Sequence, residues 1–500
     1  MTRPNSDAPP VHSGLSRQMG LLGLASTGIC SMLGASIYVV PFMIQRNVPG
    51  IGPDVLPAFL FAAVPAILAA FAYSILASAM PRAGGSYIYA SRGLNPYLGF
   101  VASFSQWFGL SIAIGVVSYV IVPFLRDIAA AVGWMDVATM LEVGSIRVVI
   151  ALAVLWFFVW VNIRGIKLYE RTVIPLMFLM FGLGAIVIVA GFSFDVNDFS
   201  TALMARENRK IIQTDSFFSI STFLSASAVL FSSFIGFDSI AQAGGEAKNP
   251  QRSLPLAIAI AVLTVGTFYM LFTSAVYHAV PWSFVAEEAV KKDITAPGLM
   301  SYLLPSGWTI AIVAGAAIAL TNDLPAMLLS VSRLMFAWAE DGIFPKGVTR
   351  VHSKFHTPHR ALLLSGVMAS IGILGSHFAG DFFLGIDIMV TSMLVNFLMM
   401  CLSVIALPGH NPELAKEIKV IKSRTAQLWL SWSGAVILFG FLVIHIFKDL
   451  SASVNAWYFH STSVWLIIML LASIIYFREL SKLKKAGLDI RQLFSKLPPE

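Results

Sequence analysis

The chain has 500 residues, 57% of them hydrophobic and 12% charged, with a mean hydropathy of +0.80. So few polar side chains cannot cover a water-soluble protein of this length. The net charge of +7 comes without a soluble basic domain, which excludes nucleic-acid binding as its explanation.

Residues 1–16 read as a disordered cytoplasmic tail, and the first 19 residues, polar and containing proline, predict no cleavable signal peptide. Nearly charge-free stretches then recur to the end of the chain. Spanning about 30 Å of hydrocarbon takes roughly 20 apolar residues. In lipid such a stretch is helical, because its backbone polar groups must be satisfied internally. Twelve spans are expected near 20–45, 55–80, 97–125, 146–163, 172–192, 217–243, 254–281, 307–338, 361–379, 384–407, 428–447 and 462–478. The third and eighth are long, as a tilted or protruding helix would be. The connection at 193–216 reads as the longest loop outside, and residues 479–500 as a charged tail with room for a short surface helix. A single domain over 17–478 is expected.

With the N-terminus inside, 24 of the 33 Lys and Arg residues fall on the inner side and 9 on the outer. That is the positive-inside pattern, and it predicts both termini in the cytoplasm of a plasma (inner) membrane protein. Cys30 and Cys401 both lie inside spans, which argues against a structural disulfide.

The first span carries T-G-I-C-S-M-L-G-A-S-I-Y at 27–38, and the sixth carries F-S-S-F-I-G-F-D-S at 231–239. Gly and Ser weaken a helix interior by up to about 1 kcal/mol per residue relative to Ala. Close helix packing explains such clusters in general. Here they open two successive sets of five spans, the pattern of paired broken helices that points to a transporter's central site. The two sets are 18–192 and 217–407, followed by two extra helices over 428–478.

Three carboxylates fall within predicted spans, Asp238, Asp323 and Asp387, and no Lys or Arg is read deep in any span. An intramembrane acid costs about 2.5–3.5 kcal/mol on insertion scales, so each invites a functional reading. Acids without bases favour a cationic partner, an amine, Na⁺ or H⁺. Asp323, beside Asn322 and Pro325, is the leading coupling or cation residue, with Asp238 second. Asp238 has a structural reading of equal weight, and Asp387 reads as facing water. His352, His356 and His359 have metal-like spacing, but they lie in a basic loop and no metal site is expected. No phosphate-binding G-x-x-x-x-G-K-[ST] sequence exists, and no nucleophile–base pair stands out, which disfavours a pump or an enzyme. No repeated charged stripe suggests a channel.

Four stretches in order carry a family resemblance. They are G-A-S-I-Y-V-V-P at 34–41, P-R-A-G-G-S-Y-I-Y-A at 81–90, F-I-G-F-D-S-I-A-Q-A-G-G-E-A-K-N-P-Q-R-S-L-P at 234–255, and S-R-L-M-F-A-W-A-E-D-G-I-F-P-K at 332–346. Over roughly 18–410 the chain resembles the amino acid–polyamine–organocation (APC) superfamily. The resemblance implies an all-α polytopic fold, a five-plus-five inverted repeat with broken helices 1 and 6, and two extra C-terminal helices. It implies a substrate α-carboxylate bound at the first-span break and an α-amine at carbonyls of both breaks. Carried over residue by residue, the binding positions are Ser31, Met32, Gly34, Ala35 and Ser36, with Phe231, Ile235, Gly236 and Phe237. Phe231 and Phe234 are candidates for a gating aromatic.

This chain has G-A-S-I-Y where the family pattern is G-S-G-I-F, so Ser36 replaces a glycine. Some proton-linked relatives carry a fifth-span lysine. Here Met180 stands at that place, which argues against coupling by that route. The loop at 126–145 has no cysteine for a disulfide-linked subunit. The expectation is therefore an amino acid transporter, an exchanger or a cation-linked symporter, with no cofactor beyond Na⁺ or H⁺. Its partners are a small substrate and the bilayer. A polyamine or other organic amine carrier and a non-transporting sensor on the same fold are the alternatives.

Overall fold

A computed structural model describes residues 15–212, 216–379, 383–454 and 456–498. The side chains of Ala35, Ser36, Ser306 and Ala379 lie outside the described residues, as do residues 1–14 of the N-terminal tail. Helices in chain order are α1 (Leu21–Leu33), α2 (Ala35–Tyr38), α3 (Val40–Asn47), α4 (Val55–Ala79), α5 (Gly85–Gly93), α6 (Pro96–Ala131), α7 (Met135–Glu142) and α8 (Gly144–Ile163). There follow α9 (Ile166–Ser193), α10 (Val196–Glu207), α11 (Ile220–Leu230), α12 (Asp238–Gln242), α13 (Pro250–Ala279), α14 (Trp282–Lys291), α15 (Ala296–Met300) and α16 (Ser306–Glu340). The chain ends with α17 (His359–Ala379), α18 (Phe383–His410), α19 (Pro412–Lys416), α20 (Arg424–Ser451), α21 (Ser461–Lys485) and α22 (Ile490–Ser495).

The protein is an all-α polytopic membrane protein. Among the described residues ten helices are long and apolar enough to cross a bilayer, and the shorter apolar helices Leu21–Leu33 and Ile220–Phe234 mark the two interrupted spans. Local chemistry sets the ends. Pro96 sits in the first turn of α6, where its missing N–H costs nothing, and the Asn95 side chain accepts from Leu98 N at 2.8 Å. Burial sorts centre from rim. The apolar windows of α6 and α16 are 83% buried, whereas that of α21 is 17% buried and leaves the rest to lipid. The 36-residue α6 and 35-residue α16 are the long helices expected of the third and eighth spans.

Two expectations need correction. The connection at 193–216 is not simply a loop, because it holds α10, whose start is closed by a capping box between Asp195 and Asp198. And Arg333 lies inside the eighth span, 1% exposed, so a base does sit deep in a helix. Its charge is tolerated because Glu246 lies against it, with Nε–Oε2 at 3.0 Å and Nη2–Oε1 at 2.5 Å.

Both described chain ends lie on one face. Met19 N donates to the Glu246 carbonyl and Lys248 N to the Met19 carbonyl, each at 2.9 Å. Gly84 N donates to the Gln242 carbonyl at 3.1 Å. From the other end, the carbonyls of Lys496 and Pro498 accept from Arg92 Nε and Arg82 Nε, each at 3.1 Å. We call this the tail face.

Candidate functional site

The site begins with two helix interruptions. α1 stops at Leu33 because Gly34 takes φ −56°, ψ −126°, outside the helical basin. A side chain at Gly34 would run into the Asp323 carboxyl group, so only glycine permits this approach of α16. After α2, Val39 leaves the helix again at φ −125°, and Pro41 lies in the first turn of α3. In the sixth span, α11 tightens into a 3₁₀ turn over Phe231–Phe234. Ile235 is extended at ψ 134°, Gly236 takes φ +136°, and α12 follows. A Cβ at Gly236 would meet the Ser31 carbonyl, so the two breaks cross there.

Interrupted helices leave donors and acceptors without helical partners. Some are taken up locally. Tyr269 donates to the Met32 carbonyl, Gly236 N donates to Asp238 Oδ1 at 3.1 Å, and the Ser239 hydroxyl donates to Ser31 Oγ at 3.1 Å.

Beside the crossing lies a cavity of about 40 Å³. Its polar points are Ser31, Ser232 and Asp323. The rest of its wall is aliphatic, including Val39 and Val40 after the first break, Val116, Val117 and Val120 on α6, and Ile235 and Met327. Asp323 is 5% exposed, and its Oδ1 is buried without a hydrogen-bond partner, as is Ser232 Oγ. The neighbouring Asn322 donates to Cys30 Sγ at 3.0 Å and to the Val173 carbonyl at 3.1 Å, tying α16 to α1 and α9. A cavity of this size has room for about one water, so admitting an amino acid requires the surrounding helices to separate.

The structure thus brings Ser31, Ile235 and Asp323 to one cavity, with Gly34 closely approached by Asp323 and Gly236 by Ser31. Ala35 and Ser36 begin α2. Phe231 is buried against Phe397 and Phe441, at centroid distances of 5.9 and 6.3 Å. Phe234 packs on Phe59 and Tyr269 at 5.3 and 5.7 Å, and Phe237 on Phe397 and Tyr73 at 5.1 and 5.6 Å. Met180 is buried in α9. Asp238 accepts from Gln106 in a buried network. Asn396 Nδ2 donates to Gln106 Oε1 at 3.2 Å and to Tyr73 Oη at 2.6 Å. Gln242 Nε2 donates to Ser86 Oγ at 2.6 Å. The network's members lie on α4, α5, α6, α12 and α18; Asp238 stands out in the sequence as an intramembrane acid, but its partners do not, beyond being polar residues within apolar spans.

The tail face is sealed under the cavity. Besides Glu246–Arg333, Arg92 pairs with Asp341, with Nη2–Oδ1 at 3.0 Å, and Tyr87 donates to Asp341 Oδ2 at 2.6 Å. On the opposite face a cavity of about 920 Å³ lies between the ends of α3 and α20 and the starts of α11 and α18. Asp387, His445, Lys448 and Asp449 line it, and Lys448 Nζ donates to Asn47 Oδ1 at 3.0 Å. His352, in the loop before α17, and His359, the first residue of that helix, have ring centroids 5.6 Å apart. Among the described residues no three His, Cys, Asp or Glu side chains group to hold a metal.

Paired unwound segments crossing beside an enclosed mid-depth cavity, in a bundle of membrane-length helices, define the class: a helical membrane permease. The chain belongs to the amino acid permease family, whose profile matches residues 19–485. It is 27% identical over 375 residues to the mouse (Mus musculus) cationic amino acid transporter 4, covering 72% of this chain but only 55% of that protein. The chain therefore spans about half the length of that relative. It is 25% identical to the branched-chain amino acid permease BcaP of Bacillus subtilis (strain 168), over 94% of this chain and 95% of that one. It is also 25% identical to the methylthioribose transporter of the same organism, over 84% of this chain and 88% of that one.

Proposed function

We propose that this protein carries amino acids with aliphatic side chains across a membrane by alternating access, with the tail face toward the cytoplasm. The observation that carries the reading is the cavity beside the crossing of the two breaks. Backbone polar groups released at Gly34 and Gly236 suit the carboxylate and amine of a zwitterion, because a helix start attracts an anion and a helix end a cation. The valine-rich wall suits an apolar side chain, and a polar or charged one would lose its hydration there without replacement. The match to a branched-chain permease along nearly the full length of both chains points the same way. The excess of Lys and Arg on the tail face supports its cytoplasmic orientation.

A second reading has its own support. Asp323 is an acid at an otherwise apolar wall, and an organic cation would pair with it; a mouse relative is a cationic amino acid transporter. Counterflow into proteoliposomes decides between them. Preloaded leucine or isoleucine should exchange for labelled leucine, and arginine should not. Exchange confined to arginine and polyamines would replace the aliphatic reading with the cationic one. Binding without any exchange would leave a sensor on a transporter fold.

A further inference from the structure

We propose that Asp323 is the proton carrier of this protein, taking up a proton from one side of the membrane and giving it to the other as the first-span break rearranges. The proposal rests on the transport reading above. Asp323 lies midway along α16, and its carboxyl group is pressed against Gly34, the residue at which α1 ends. It borders the central cavity with Ser31, 5% exposed, and Oδ1 meets no hydrogen-bond donor. An ionised carboxylate cannot stay in such a place without a partner. A neutral carboxyl group can, so the closed arrangement selects the protonated acid.

No neighbouring element brings a compensating charge, among the described residues. The titratable groups on the elements around this part of α16 are the Cys30 thiol of α1, which accepts from Asn322, the His377 ring of α17, hydrogen-bonded to Tyr119 of α6 at 3.2 Å, and phenols. Tyr38 of α2 packs on Phe272, Tyr169 of α9 donates to Thr27 Oγ1 at 2.9 Å, and Tyr269 of α13 donates to the Met32 carbonyl. Glu170 of α9 stands nearer the tail face, against Gly23, and Asp238 of α12 is held by Gln106 and Gly236. On α16 itself the other charges, Arg333 and Glu340, lie two or more turns toward the tail face, where Arg333 is engaged by Glu246. Met180 of the fifth span is buried and brings no charge.

Na⁺ is a poorer fit. A hard cation takes a shell of oxygen ligands. In the cavity the Asp323 carboxyl shares its walls with the Met327 thioether and valine methyls, and the other side-chain oxygens there are two hydroxyls, Ser232, which has no partner, and Ser31, already joined to Ser239, too few for such a shell. A proton needs one oxygen only. The step is a simple transfer: water on the loading side gives H⁺ to an Asp323 oxygen, and the carboxyl later returns it to water on the other side. The switch is the break itself. The carboxyl group lies against Gly34, so a shift of α1 at that residue changes the surroundings of Asp323, and helix position and protonation are linked.

The test uses full-length protein in liposomes containing trapped pyranine, with the amino acid that the wild type exchanges. An inward acid gradient should drive accumulation, with substrate-dependent acidification of the lumen. D323N should lose both, while counterflow without a gradient persists at a reduced rate. Wild-type pH dependence should vanish in that variant and return in D323E. D323N that accumulates substrate as the wild type does overturns the proposal. So does complete loss of counterflow and binding in D323N, which makes Asp323 a substrate anchor, and so does accumulation driven by Na⁺ alone. Should D323N not fold, wild-type proton entry and D323S carry the test, and coupled acidification in D323S is equally fatal. Wild-type counterflow without coupled acidification sinks the proton claim alone. Absence of wild-type counterflow sinks the transport reading, and the proton claim with it.

Discussion

At the residue scale the decisive positions are two glycines whose missing side chains make room for something else. Gly236 combines φ +136° with a backbone approach from Ser31, so G236A suffers both strain and collision. Strained left-handed backbone costs about 1–3 kcal/mol, and counterflow should fall at least tenfold while thermal unfolding in detergent shifts down. Unchanged counterflow would show that the crossing tolerates separation. Phe231 behaves differently. It is fully buried between Phe397 and Phe441, so F231A should cost about 3–5 kcal/mol as a core truncation. Unfolding in a fluorescence thermal-shift assay measures that cost, and a stable F231A with faster exchange would favour the gating role expected for this residue.

At the scale of elements, α12 is too short to hold itself and depends on what surrounds it. Asp238 accepts from Gly236 N at its start, and Gln106 reaches it from α6. D238A leaves both donors buried and unmet, at about 1–3 kcal/mol each, and hydrogen exchange at Gly236–Gln242 should accelerate. D238N, which retains an acceptor, should be milder. The helix α14 on the opposite face offers a pH test. Burial works against the charge of Glu288, but Arg209, Lys291 and Lys292 outweigh it and hold its pKa below the ordinary 4.5. A carboxylate depressed in the folded protein adds stability above its unfolded pKa and loses it as pH falls through the folded value. Hydrogen exchange over α14 should therefore rise only below about pH 4.5. Loosening already at neutral pH would mean that the ion pairs do not hold this helix.

At the scale of the whole molecule, buried ion pairs hold the tail face. Glu246–Arg333 and Arg92–Asp341 close the tail face, and the C-terminal segment lies over the second pair, with Phe494 5.1 Å from the Arg92 guanidinium. Removing one partner of a buried pair costs about 3–5 kcal/mol. E246Q should open this face, and the buried Cys30 at the first break reports it. In a C401S background, maleimide should label Cys30 faster in E246Q than in the parent. Equal rates would place the barrier to opening elsewhere.

The amino-acid sequence by itself determined the class of fold. Hydropathy marks nearly every span, and the small-residue clusters at 27–38 and 231–239 mark the interruptions, because lipid demands helical backbone and Gly and Ser weaken it. It also singled out Asp323, since a lone acid in an apolar run is visible without coordinates. Partnership was decided only by the tertiary structure. Gln106 meets Asp238 from 132 residues away, and Arg333 meets Glu246 from 87 away. Nothing local distinguishes these polar residues from unsatisfied ones. A charge deep in a helix is tolerable only where a distant element supplies its counterpart, and that is settled by packing.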